Sequence, residues 1–349
     1  MINLVSEGCI KVNDELIMVA RGMNLIYKVD IEKGKLVILG SIPDENLDAG
    51  RVGGEILKYE DEIVFLPMNA RHINIYDTCK KKWRHIEFEE IKDCYLDKFF
   101  SGVIYGKYLY MIGSKYPAIV KVNLQNNCDI KYIKIPYEIM DHEKDDCFIR
   151  RDIVVVDEKL YMASCVNNYV FELDLKSENI KKYEVCDKSK TFSGIAYDGR
   201  DYWLASRRNR EVYRWNLLDE KVECFDFGKD KDDSRCFGGV VFDGKQIVVY
   251  GMEGNKSIII NPQADNIVED ASEINESFSF VKIINDNSYS MTFDGKLVEV
   301  KSFDDLSKMN SVSVLVEENS IYEYIKKNGA IVHENPFLSL EGFLDGIIL

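Results

Sequence analysis

Arginine is the residue type whose placement in this chain points to chemistry. Its planar guanidinium grips a carboxylate or phosphate through two parallel hydrogen bonds, which the compact charge of lysine cannot match. Nine of the twelve arginines fall in loops that follow second strands or join one sheet to the next: Arg21, Arg51, Arg71, Arg150, Arg151, Arg207, Arg208, Arg210 and Arg235. Arg84, Arg200 and Arg214 lie elsewhere, and lysines gather in the opposite turns, as in Lys80-Lys81-Lys82 and Lys181-Lys182. On a chain of net charge −15, such a segregated set suggests an anionic ligand. The competing reading pairs these arginines with nearby acids such as Asp44, Asp48, Asp97, Asp146, Asp152 and Asp233. Arg150 and Arg151 are the most specific of the set, because they stand where most repeats have small residues.

The catalytic inventory is thin. Of the four histidines, His72 and His142 fall on the face that carries the arginines, whereas His85 and His333 do not. Either could act as a general base near neutrality. His72 with Tyr116 and an arginine could abstract a proton beside a carboxylate. The sequence has no glycine-rich phosphate loop, G-x-S-x-G or HExxH pattern. Asp141-His142-Glu143-Lys144-Asp145-Asp146 has the ligand types of a hard cation site but neither the spacing nor the glycine of a calcium loop. It reads as a solvated acidic loop, and no metal or cofactor is expected. Nine cysteines, an odd number without a CxxC pair, read as reduced and structural. Cys147 and Cys236 sit where a thiol would be reachable, but nothing in the sequence promises the lowered pKa that reactivity needs.

These loops must be held by a repeat. Thr191–Gly228 reads as four short strands, with Asp198-Gly199 turning the first into the second and Asn216 stopping the third. The Phe192 position recurs as Val52, Phe100, Phe148, Phe237 and Phe278, at intervals of 41 to 48 residues. A small pair usually follows, as in Gly53-Gly54, Ser101-Gly102, Ser193-Gly194 and Gly238-Gly239. The polar stop recurs as Asp30, Asp77, Asn123, Asp174 and Asn261, with Lys301 breaking the rule in the last copy. A single meander cannot bury its faces, so copies must stack.

The expected fold is all-β: a seven-bladed β-propeller of four-stranded antiparallel blades, with six blades as the alternative. The blades are expected near 6–42, 52–90, 100–136, 148–186, 192–228, 237–270 and 278–317. Residues 1–317 would be the propeller. Residues 318–349 would be a C-terminal extension, with a short helix from Ser320 to a stop at Gly329. The apolar tail, including Phe337, Leu340, Phe343, Leu344 and Ile348, is expected to pack on the propeller or on a protein partner. Trp83, Trp203 and Trp215 read as packing between blades. In repeat length and strand pattern the chain resembles the kelch and WD40-like propeller superfamily.

No basic leader and no apolar run of membrane-spanning length occurs, which suggests a cytoplasmic protein. The acidic balance opposes nucleic-acid binding and docking on an anionic membrane. The expected function is binding of an anionic small molecule, glycan or acidic peptide at an arginine-lined channel mouth, where Arg71, Arg151, Arg207 and Arg235 should converge. The alternatives are a lyase, isomerase or hydrolase acting on a sugar acid or similar anion, and a protein-interaction scaffold.

Overall fold

A computed structural model describes the chain except for residues 1, 13, 34, 93, 95, 127–128, 137–146, 229–234, 301–302, 304–309, 317–319, 322, 325–326 and 328–349. Four-stranded antiparallel meanders repeat along it. Five are separate sheets, spanning 6–40, 53–86, 99–133, 237–274 and 278–313. The other eight strands, within 149–226, form one sheet in which two meanders meet through Ile149–Val156 and Phe192–Tyr197. A single parallel bridge, Asp152 to Gly194, joins the halves. The expected seven separate sheets are thus corrected to five, plus one fused pair.

The innermost strands form a closed ring. In order they are Ser6–Val12, Gly53–Tyr59, Phe99–Tyr105, Ile149–Val156, Phe192–Tyr197, Phe237–Phe242 and Phe278–Ile284, each packed against the next and the last against the first. At the closure, the Ser279 hydroxyl donates to the Ser6 carbonyl at 2.9 Å. Ile2–Asn3 does not extend a blade; it pairs with Leu315–Val316 in a small sheet of its own.

The local signals read from the sequence have identifiable structures. The polar stops are turns in which the side chain caps following amides. Asp174 Oδ1 accepts from Lys176 and Ser177, and Asn216 Oδ1 accepts from Leu218 and Asp219. Asp30, Asp77, Asn123 and Asn261 do the same. The position that carries the small pair is a β-bulge in every repeat. In six repeats the inner strand gains one residue over its partner. In the fourth it gains two, since Ile149 to Ile153 is four steps against two from Ser164 to Met162. Bulges bend a strand and re-aim its side chains, and this largest one carries Arg150, Arg151 and Asp152.

The core lies between adjacent sheets. Tyr110, Ile112 and Ile119 of the third repeat pack with Met162 and Phe171 of the fourth. The tryptophans sit among aromatic neighbours: Trp83 on Phe65 and Tyr76, Trp203 on Phe225, and Trp215 on Tyr183 and Tyr202. The eight described cysteines are free; Cys128 lies outside the described residues. Residues 320, 321, 323, 324 and 327 are helical, and Ile321 is buried in the cluster that joins the first and last repeats. The apolar tail from Phe337 lies outside the described residues. No helix among the described residues is long and apolar enough to cross a membrane.

One buried polar residue anchors the connection after the first repeat. Asn24 is fully buried; its Nδ2 donates to the Ile42 and Glu45 carbonyls, and its Oδ1 accepts from the Ile42 amide. Asn24→Ala strands those groups, so chemical denaturation should show a loss of about 2 kcal/mol or more. A loss below about 0.5 kcal/mol would show that the connection is held by its apolar contacts instead.

Candidate functional site

The two-residue bulge pushes Arg151 across the channel to Glu7, on the inner strand of the first repeat. The two side chains pair, and Arg151 also donates to the Ser279 carbonyl. Glu7 is nearly buried and receives two more guanidiniums, Arg21 at 3.0 Å and Arg51 at 3.7 Å. Burial alone would push its carboxyl up. The charges of Arg151, Arg21 and Arg51 outweigh burial and hold it at about 2. Glu7 is therefore ionised across the physiological range and acts as the hub of the arginine cluster.

Arg150 completes the cluster at the mouth of the channel, together with Phe100 and Met252. Its guanidinium lies 5.6 Å from the centre of the Phe100 ring and 3.6 Å from Met252 Sδ. No described carboxylate pairs with it. Arg51 also reaches Asp97 at 3.1 Å. Arg21, Arg51 and Arg151 thus share the Glu7 and Asp97 carboxylates, and Arg150 pairs with neither. The recess among them holds about 20 Å3, room for one small group.

The other expected site residues are placed as follows. Arg71 is exposed and turned toward Asp44 and Glu45, away from the channel. Arg207 is buried beside Arg150 and Cys165 rather than at the mouth. Arg208 and Arg235 are exposed; their carbonyls accept from Cys236 Sγ and Asn255. Arg210 is buried and bonded to Glu273 at 2.5 Å, a strut between repeats. The expected convergence of Arg71, Arg151, Arg207 and Arg235 is therefore corrected: Arg21, Arg51, Arg150 and Arg151 are the set that meets. Loop position alone did not tell which arginines turn inward and which pair outward.

His72 packs at a tilt against His85, with ring centres 4.9 Å apart, and it does not line the recess of the channel arginines. Tyr116 is buried, packs on Phe88 and Phe99, and donates to the Glu89 carbonyl; burial raises its hydroxyl above the ordinary tyrosine range. Arg71 does line a small recess with Tyr116, at the boundary of the second and third repeats. His142 and the acidic loop 141–146 lie outside the described residues. No cluster of metal-ligating side chains occurs among the described residues. Cys147 packs under Phe100 and Met68, a structural thiol.

Four channel residues were missed by the sequence reading: Glu7, Glu55, Lys282 and Tyr250. Asp152 was taken only as a partner for arginine. Lys282 pairs with Glu55 across the closure of the ring. Asp152 accepts from the Tyr250 hydroxyl at 2.7 Å and the Val240 amide at 2.8 Å. Burial pushes its carboxyl up to about 7, against the lowering effects of Tyr250 and Arg151. For Glu7, Glu55 and Asp152 the available signal was a charged residue at or beside the small-pair position of an inner strand; Lys282 and Tyr250 carried none.

No family model and no curated protein matches the chain in sequence. Solved structures do resemble it. A catalytically inactive histidine-to-alanine variant of virginiamycin B lyase from Staphylococcus aureus, with quinupristin, superposes with a TM-score of 0.65 at 12% identity, covering 85% of this chain and 94% of that one. A streptogramin B lyase gives 0.61 at 14% identity, covering 86% and 92%. BamB from Moraxella catarrhalis gives 0.56 at 15% identity, covering 84% of each chain. The fold is a β-propeller. At these identities the likeness concerns the fold alone, and it does not carry the kelch or WD40-like assignment.

Proposed function

We propose that this propeller binds an anionic ligand at the mouth formed by Arg21, Arg51, Arg150 and Arg151. One observation carries the reading: Arg150 is partly buried in a positive cluster with no carboxylate partner among the described residues. A guanidinium in such surroundings is costly unless an anion completes it. The recess has room for about one water, so the ligand would present a carboxylate or phosphate to the guanidiniums from outside. Ligands of this type include a sugar acid, an acidic glycan and an acidic peptide end. We also read the fused sheet as two blades, since each half is a complete four-stranded meander; the propeller then has seven.

The lyase, isomerase or hydrolase alternative called on His72 or His142 beside the arginines; His72 is not there, and His142 lies outside the described residues. The lyases that resemble this chain share its fold but lend it no chemistry. The binding reading is tested by calorimetric titration with phosphate, sulfate and a panel of sugar acids. A charge-assisted contact contributes about 1.5–3 kcal/mol, so Arg150→Ala should weaken binding about tenfold or more. Arg150→Lys should rescue only in part, because the planar fork is lost. Arg71→Ala should change nothing. If no anion binds, or if Arg71→Ala weakens binding as much as Arg150→Ala, the mouth is not the site.

A further inference from the structure

Beyond the Arg151–Glu7 pair the channel widens into a chamber of about 360 Å3, lined by both members of that pair. That volume is within the range of small-molecule sites. Its walls are apolar, with Val103, Ile153, Val155, Val241, Phe242 and Ile283. Its charged groups are Glu7, Glu55 and Asp152 against Arg151 and Lys282, three carboxylates to two cations.

The two ion pairs are closed on themselves. Lys282 holds Glu55 Oε1, while the Gly102 amide donates to Oε2 at 3.1 Å. Arg151 holds Glu7 Oε2, and Arg21 is on Oε1. Asp152 differs, because Tyr250 and Val240 both donate to its Oδ2. Oδ1 receives no hydrogen bond from any described residue. The charged and titratable groups around Asp152 are Arg151 on its own strand, Tyr250, Glu55 and Lys282. The nearest cation, Arg151, is already committed to Glu7.

We propose that this chamber binds a small organic cation, an alkylammonium with a short apolar body, whose ammonium group pairs with Asp152 Oδ1. The alkyl body would lie against the valine and isoleucine walls, where apolar surface leaves water. The ionised form of Asp152 is the one that binds. Since burial holds this carboxyl near 7, affinity should rise with pH through that value, and binding near neutrality should release a proton. The site differs from the anion mouth, with which it shares Arg151 and Glu7 as a common wall.

The probe is hexylammonium, titrated calorimetrically into the full chain, with hexanol and hexanoate as controls of the same length. Saturable binding of hexylammonium is expected at pH 8, weaker binding of hexanol, and no competition by hexanoate for the hexylammonium site. Affinity should fall about tenfold from pH 8 to pH 6. At pH 7, heats in two buffers of different ionisation enthalpy should report proton release. Asp152→Asn should weaken binding tenfold or more. Val155→Trp, at a wall position that is 38% exposed, should block the chamber without touching the bonds of Asp152. Sulfate should leave hexylammonium binding unchanged whether or not the mouth takes anions. The proposal is overturned if hexanol binds as tightly as hexylammonium, if no probe binds, or if Val155→Trp or a folded Asp152→Asn binds undiminished.

Discussion

Replacing Glu7 by Gln should lower the free energy of unfolding by about 3–5 kcal/mol, the cost of removing one partner from a buried ion pair. Arg151 would then be left beside Arg21 and Arg51 with their shared carboxylate gone. The pH dependence separates charge from packing. The Glu7 carboxyl lies at about 2 in the folded protein against an ordinary value of 4.5. As pH falls, the unfolded chain therefore takes up this proton first. The contribution is whole above about 4.5 and is lost as pH falls through about 2. The displacement is equivalent to about 3 kcal/mol. In urea titrations, the cost of Glu7→Gln should thus be clearly smaller at pH 3 than at pH 6. An equal cost at both values would show that the side chain acts through shape alone.

Gly239→Ala should be the most damaging single methyl group in the channel. A Cβ there would stand 1.6 Å from Asp152 Oδ2 and 2.3 Å from the Tyr250 hydroxyl oxygen. Gly194 is also too close for a side chain, with a Cβ 2.8 Å from that of Asp152. These two glycines make the space that the fourth repeat's bulge fills. Gly239→Ala should cost about 3 kcal/mol, from overpacking plus the broken bonds to Asp152. In an Asp152→Ala background the same change should cost at least about 1 kcal/mol less, since the atom in conflict is gone. Equal costs in both backgrounds would mean that the conflict lies with Tyr250 alone. The measurement is a double-mutant cycle by chemical denaturation.

These two results also bear on ligand binding. Glu7 pairs with the Arg151 guanidinium, and Asp152, the next residue on the strand, feels its charge. Loss of Glu7 makes the anion mouth more positive, whereas loss of Asp152 removes the anchor of the chamber. The two changes should therefore act oppositely, the first strengthening anion binding and the second weakening cation binding, and neither touches the outward-turned Arg71.

The sequence by itself determined what is local. Strand length, tight turns such as Asp198-Gly199 and the Asp or Asn that ends each third strand depend on a few consecutive residues, so a repeat of period near 45 was legible. The small pair at the start of the inner strands was legible too, although its reason was not. Gly54 and Gly102 are small because a neighbouring backbone lies where a side chain would point, with carbonyl oxygens at 2.4 and 2.8 Å from a Cβ. Arg150 and Arg151 stood out correctly as an exception to that rule. Tertiary structure decided the rest. Arg21 and Arg71 both lie in the loop after the second strand of successive repeats, yet Arg21 meets Glu7 while Arg71 turns to Asp44 and Glu45. That choice depends on which carboxylate another repeat brings within reach. Glu7, Glu55, Arg151, Asp152 and Lys282 are scattered over most of the chain, and only closure of the ring brings their charges together. The fusion of the fourth and fifth sheets has the same origin. A bulge two residues deep meets a glycine of the next repeat, and neither residue signals the other until the strands are side by side.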